Sequence, residues 1–125
     1  MLDYKYYEGF EGEGRVRVWY DDNGNENGFV IWEGLFNTIL EACYYSEYVQ
    51  NGLLECFANQ DGFFDDKWEM NFPDIVLEEL KGFDTKLLNT KDEDIIEKSK
   101  IIVNELISFI TSADVINKKI FIEYN

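Results

Sequence analysis

Residues 92–113 read DEDIIEKSKIIVNELISFITSA and form the longest periodic segment of the sequence. Apolar residues recur in it every three or four positions: Ile95, Ile96, Ile102, Val103, Leu106, Ile107 and Ile110. This spacing predicts an amphipathic helix about 30 Å long, enough to cover one face of a small sheet. Thr90 and Glu93 have the spacing of a capping box, and the acids at 92–94 suit the positive end of the helix dipole.

Strand patterns lie at both ends of the chain. Residues 15–20 alternate, with Val16, Val18 and Tyr20 on one face and Arg15, Arg17 and Trp19 on the other. This alternation predicts a half-buried strand. Phe29–Trp32 is predicted to return beside it, because the intervening DDNGNENG favours a hairpin or an extended loop. Leu2–Tyr7 and Ile120–Tyr124 are predicted to be the first and last strands.

Three shorter segments have helical features. Trp32–Cys43 carries apolar residues at helical spacing, and 73–83 begins with Pro73 and is stopped by Gly82. Residues 53–57 fit either a strand or a helical turn, and we favour the helix; residues 59–71 are predicted to be irregular. The whole pattern predicts a single α+β domain over residues 1–125. We expect a small antiparallel sheet packed against the long C-terminal helix and one or two further helices.

Acidic and aromatic residues are concentrated together. The formal net charge is −15, and residues 1–79 hold 18 carboxylates against 4 cations, a net of −14. Residues 80–125 hold 8 carboxylates against 7 lysines, whereas 17 of the 21 aromatic residues fall in the first 79. A strong negative field attracts a basic partner, so this distribution favours a binding role. General acidity for solubility is the alternative reading.

The usual signatures of catalysis and metal binding do not occur. The chain contains no histidine, the commonest general base and metal ligand, and no nucleophile elbow or phosphate-binding glycine loop. Asp21, Asn23 and Asn25 have the spacing of a calcium loop, but Glu26 and Trp32 stand at its glycine and glutamate positions. We therefore expect no metal, no cofactor and no enzymatic activity.

Two arrangements of carboxylates could in principle indicate an enzyme. Pro73-Asp74 and Glu79-Leu80-Lys81 superficially match the elements of a nuclease family, but they lie in one predicted helix, so we reject the match. A carboxylate pair of the glycosidase type is an alternative, although such pairs are expected by chance among 26 acids.

The predicted binding surface joins the polar side of the first helix to the segment that precedes Pro73. Tyrosine and other aromatic side chains among carboxylates suit a protein interface, although the tyrosines could instead pack under a loop. The candidate partner-binding residues are Glu33, Asn37, Glu41, Tyr44, Tyr45, Glu47, Tyr48, Asp61, Phe63, Phe64, Asp65, Asp66 and Trp68.

The sequence also indicates a compartment. No apolar run approaches the roughly 18 residues of a membrane span, and residues 1–10 lack the basic and apolar parts of a signal peptide. We expect a cytoplasmic protein that does not contact a membrane. Cys43 and Cys56 are then expected to be reduced core thiols.

A small acidic α+β chain that ends in DIIEKSKIIVNELISFI and KKIFIEY resembles immunity proteins of bacterial polymorphic toxin systems, including contact-dependent inhibition. The resemblance implies a protein that binds and blocks one cognate toxin, often a basic nuclease. It carries over no functional residue. We expect a basic protein partner, with no direct binding of nucleic acid. The alternative is a DNA mimic that inhibits a nucleic-acid-binding enzyme by presenting carboxylates in place of phosphates.

Overall fold

The computed structural model describes residues 1–43, 51–59 and 67–124. Within them the α+β architecture is confirmed, with one five-stranded sheet in the order β1-β3-β2-β5-β4 and four α-helices. The strands are β1 (Leu2–Tyr6), β2 (Arg15–Asp22), β3 (Asn25–Trp32), β4 (Trp68–Glu69) and β5 (Ile120–Tyr124). The helices are α1 (Glu33–Cys43), α2 (Leu53–Asn59), α3 (Pro73–Lys81) and α4 (Glu93–Val115), with a 3-10 turn at Thr85–Leu87.

The sheet is mixed, whereas the sequence pattern predicts an antiparallel one. β2 pairs antiparallel with β3 and β5, but β1 pairs parallel with β3. The reason lies in the connections. The loop after β1 reverses the chain into β2, and the β2–β3 hairpin then places β3 between β1 and β2, so β3 runs in the direction of β1.

Register places the apolar residues of three strands on the helix-covered face. Val18 lies opposite Phe29 on β3 and Ile122 on β5, which confirms the alternation predicted for β2. Val16, Val18 and Ile122 are at most 1% exposed and share one hydrophobic cluster with the buried residues of all four helices. Burial of these side chains contributes to the apolar driving force for folding.

The opposite face of the sheet is stabilised by charge and aromatic contacts. The Arg17 guanidinium lies 4.3 Å from the ring centroid of Trp19 and donates to Glu26 at 3.1 Å and to Glu123 at 2.5 Å. Trp19 is only 5% exposed, although it does not belong to the main cluster. Cation–π contact and two ion pairs thus hold this face where the described helices do not cover it.

The β2–β3 hairpin turns through Asn23 and Gly24, whose φ angles are 53° and 89°. Positive φ at both central residues is the type I′ geometry that matches the twist of the flanking strands. The Asp21 carboxylate accepts the Gly24 N–H at 3.1 Å, and this hydrogen bond stabilises the turn. Both strands are longer than the sequence pattern indicates, because this two-residue turn leaves the neighbouring acids and asparagines in the ladder.

Two other sequence predictions are corrected. Trp32 ends β3 rather than beginning α1, and its ring stacks on Phe10 with centroids 4.1 Å apart. Residues 68–69, predicted to be irregular, pair with β5 as an edge strand. The short strand was missed because two residues cannot show an alternation. The helices predicted at 73–83 and favoured at 53–57 are confirmed as α3 and α2.

The N-cap of α4 is Asp92 and not Thr90. The Asp92 carboxylate accepts the N–H groups of Asp94 at 2.9 Å and Ile95 at 3.4 Å, while its carbonyl accepts from Ile96. The Thr90 hydroxyl accepts only the N–H of Asp92, which precedes the helix. The capping-box spacing therefore pointed to a residue two positions too early.

Replacement of the true cap is expected to destabilise the protein. Asp92→Ala should lower the free energy of unfolding by about 1 kcal/mol, because two N–H groups of the first turn lose their acceptor. Thr90→Ala should cost less than about 0.5 kcal/mol and serves as the matched control. Urea denaturation followed by circular dichroism measures both. An equal or larger loss for Thr90→Ala would contradict this assignment.

Candidate functional site

Four carboxylates belong to the β1–β2 loop and to the start of α1, which contact each other. Glu8, Glu11 and Glu13 lie in the loop and are exposed, and Glu33 begins α1 and is half-buried. We call these four residues the acidic end. The Glu33 N–H donates to the carbonyl of Gly14 at 3.0 Å, and a Cβ on Gly14 would lie 1.9 Å from Glu33 Oε2. A glycine at position 14 therefore allows the carboxylate to rest against the loop.

Aromatic contacts give this loop its shape. The Phe10 ring stacks on Trp32 with an interplanar angle of 3°, which ties the middle of the loop to the end of β3. The buried Tyr7 donates its hydroxyl hydrogen to the carbonyl of Glu13 at 2.6 Å. Gly9 and Gly12 have φ angles of 90° and 94°, which other residues rarely adopt. The loop thus presents its acids from a fixed backbone.

Carboxylates of the acidic end have no salt-bridge partner within the described residues. Elsewhere the cations of the first part of the chain are engaged: Arg17 binds Glu26 and Glu123, and Lys5 binds Glu105 at 2.9 Å. Lys5 and Lys98 line a cavity together with Glu8, so cations also lie beside this end. The four carboxylates form no salt bridge within the described residues and add to the negative potential of a chain whose net charge is −15. The repeated glutamates and glycines of YEGFEGEG indicate this loop, although Glu8, Glu11 and Glu13 are not among the partner-binding residues predicted from the sequence.

Tyr124 connects the acidic end to α1 and α2. Its hydroxyl donates to Asn37 Oδ1, and its ring lies edge-on to Phe36 with centroids 6.3 Å apart. Burial raises the pKa of Tyr124, and the electrostatic influence of Glu33 and of Cys56 on α2 raises it further. The end of β5, the start of α1 and α2 therefore adjoin one another at this side of the molecule.

The structure places the four described candidate residues in different settings. Glu33, Asn37 and Glu41 form one row along α1, spaced by four residues, and Glu41 is exposed. Asn37 is already engaged with Tyr124, so part of its amide is used within the protein. Trp68 lies opposite Ile122 and packs against the core, which leaves it half-buried. The row on α1 is therefore the part of the prediction that adjoins the acidic end.

The other predicted residues fall in segments 44–50 and 60–66, next to α2 on its two sides. They lie outside the described residues, and their role stays a prediction. They are Tyr44, Tyr45, Glu47, Tyr48, Asp61, Phe63, Phe64, Asp65 and Asp66.

A cavity of about 240 Å³ lies beside the β1–β2 loop. Tyr6, Phe10 and Leu35 supply its apolar wall, and Lys5, Glu8 and Lys98 line the remainder. Burial, followed by the nearby Glu105, raises the pKa of Tyr6 to about 12, so its phenol stays neutral at physiological pH. The cavity is smaller than the roughly 300 Å³ from which drug-sized ligand pockets begin, and it suits a single inserted side chain.

The described residues were also compared with the requirements of a metal site and of a reactive cysteine. They contain no group of three side chains placed to hold a metal ion. Cys43 and Cys56 are unbridged, and burial raises the pKa of the Cys43 thiol to about 12, which disfavours the nucleophilic thiolate. Among the described helices, none has both the length and the apolar character needed to cross a bilayer.

Comparison with protein-family profiles, with curated protein sequences and with solved structures finds no match to this chain.

The bond between Tyr124 and Asn37 should contribute measurably to stability. Tyr124→Phe is expected to lower the free energy of unfolding by about 1 kcal/mol, because it removes a largely buried donor and leaves the Asn37 oxygen without it. Tyr4→Phe, at a tyrosine that is 45% exposed, is the matched control and should change stability by less than about 0.5 kcal/mol.

A double-mutant cycle with Asn37→Ala isolates the contact. We expect a coupling energy of at least about 0.5 kcal/mol from denaturant unfolding. If the stability losses of the two single variants simply add in the double variant, the Tyr124 hydroxyl and the Asn37 amide do not interact energetically.

Proposed function

We propose that this protein is an inhibitor that binds a basic protein through the acidic end and the adjoining row on α1. The observation that carries the proposal is the set of four carboxylates that form no salt bridge within the described residues and lie on the β1–β2 loop, shaped by the stacked Phe10 and Trp32, and at the start of α1. Unpaired acids repel one another and lower the stability of the free protein. A basic partner removes that repulsion when it binds.

The surface has features of both fast capture and slow release. Negative potential steers a basic partner during diffusion and raises the association rate, an effect that salt weakens. Apolar side chains that enter a dry pocket mainly slow dissociation. The cavity beside Phe10 and Leu35 adjoins Glu8, so one apolar side chain of the partner can enter it while neighbouring lysines or arginines meet the carboxylates.

The proposed partner is a cognate toxin, with a nuclease as the favoured class. A nuclease carries a basic surface for nucleic-acid phosphates, and an acidic protein bound there excludes the substrate. The resemblance to immunity proteins of polymorphic toxin systems supports this choice, as does the concentration of acids in residues 1–79. In this proposal the protein acts in the cytoplasm, is not an enzyme and needs no cofactor.

Charge reversal at the surface tests the proposal. The variant Glu11→Lys/Glu41→Lys should weaken binding to the product of the neighbouring reading frame at least tenfold, about 1.4 kcal/mol, because both exposed acids face the partner. The matched control is Glu97→Lys/Asp114→Lys on α4. Each pair raises the net charge from −15 to −11, so a general field effect alone would weaken both equally. Calorimetry at two salt concentrations and rescue of growth are the readouts.

The results separate the alternatives. A larger loss for the α4 pair would mean that α4 faces the partner, and equal losses would leave only non-specific charge attraction. A DNA mimic should also compete with DNA for several unrelated DNA-binding proteins, whereas a toxin inhibitor should neutralise one. If the neighbouring product neither binds nor harms cells, the toxin assignment is wrong.

A further inference from the structure

The cavity beside the β1–β2 loop is lined by four parts of the chain. β1, the loop, α1 and α4 contribute Tyr6, Phe10, Leu35 and Lys98, respectively. Leu35 is only 3% exposed, and Phe10 is stacked on Trp32, so the apolar wall is preformed. The volume of about 240 Å³ exceeds the roughly 150 Å³ in which an apolar protein cavity can bind benzene. The cavity therefore has room for one aromatic ring.

Two side chains of opposite charge line this cavity without pairing. Glu8 in the loop and Lys98 on α4 are both exposed. Within the described residues neither forms a salt bridge, with the other or with a third residue. Lys5 also lines the cavity, but its ammonium group is already engaged, 2.9 Å from Glu105 and 3.7 Å from Asp3. One carboxylate and one ammonium group are thus available to a ligand that carries both charges.

A larger cavity of about 500 Å³, beside α3 and α4, differs in its charges. Its lysines, Lys81 and Lys100, lie 3.7 and 4.0 Å from glutamates three residues earlier on their own helices. Asp84, which also lines it, accepts the N–H of Lys86 at 2.9 Å. The charged groups of the larger cavity therefore have partners within the protein, and charge favours the smaller cavity as a ligand site.

We propose that the smaller cavity binds a free aromatic amino acid of the phenylalanine type. At neutral pH such a molecule carries an ammonium group and a carboxylate next to one apolar ring. The ring packs against Tyr6 and Phe10, the ammonium group binds Glu8 and the carboxylate binds Lys98. A partner side chain that enters the same cavity would exclude the amino acid, but the site itself does not rest on the proposed function.

Titration calorimetry of the whole chain with three related compounds tests the recognition of both charges. L-phenylalanine should bind with a Kd below about 1 mM, an affinity that a ligand of this size can reach. Hydrocinnamate lacks the ammonium group and phenethylamine lacks the carboxylate, so each should bind at least tenfold more weakly. Salt at about 0.15 M screens the general attraction of the cationic phenethylamine to this acidic chain. Backbone amide shifts should change at Phe10 and Leu35 but not at Val103, which lines the larger cavity.

Neutral variants assign each charge of the ligand to one side chain. Glu8→Gln should weaken L-phenylalanine binding at least tenfold but leave hydrocinnamate within twofold, because hydrocinnamate has no ammonium group to lose its partner. Lys98→Gln should weaken L-phenylalanine equally but leave phenethylamine within twofold. Retained binding of the analogue also shows that each variant is folded. Glu97→Gln and Lys100→Gln, which make the same changes of charge on α4 at residues that do not line this cavity, are the matched controls and should leave all three affinities within twofold.

Three results would overturn the proposal. The first is no binding of L-phenylalanine up to about 10 mM, and the second is a set of amide shifts centred on the larger cavity. The third is equal affinity for L-phenylalanine and hydrocinnamate, since the cavity would then accept an apolar anion and not an amino acid. All of these measurements use the protein alone. Failure of the amino-acid site would therefore leave the proposed inhibitor function standing, and the absence of a basic partner would not change these affinities.

Discussion

The antiparallel pairing of β2 with β5 is the interaction on which the rest of the structure depends. It joins the two ends of the chain, with Val18 opposite Ile122 and Val16 opposite Tyr124. Because β5 directly follows α4, this register brings the long helix onto the same face as α1 and closes one core. It also brings Tyr124 to the end of the sheet where the β1–β2 loop begins. The pairing of β2 with β5 thus contributes to both the core and the arrangement of the acidic end.

Acidic side chains are balanced differently on the sheet face opposite the helices and at the acidic end. On the sheet face opposite the helices, Arg17 is held between Glu26 and Glu123 over the ring of Trp19, so acids and cations there neutralise each other. At the acidic end no such compensation occurs within the described residues. Exposed acids elsewhere, among them Glu41, Asp74 and Asp114, also form no salt bridge within the described residues, so the negative potential is not confined to the acidic end.

The aromatic residues of the first 79 positions do not form one surface. Phe29 and Tyr20 pack against Phe109 of α4, with centroid distances of 5.0 and 5.4 Å. Phe10 and Trp32 instead stack at the acidic end. Composition showed that acids and aromatics coincide in sequence, but it could not separate rings that build the core from rings that support a surface. That separation depends on which face of the sheet each residue occupies.

The sequence by itself determined the local elements: the alternation of β2 and β5, the amphipathic helices α1 and α4, and the start of α3 at Pro73. Period and capping act over a few residues, so a linear pattern contains them. Only the tertiary structure decided that β1 runs parallel to β3, that Glu33 joins the β1–β2 loop, and that Glu79 caps α2. Those relations join residues far apart in the chain, and their distances follow from strand order and packing, which no local pattern specifies.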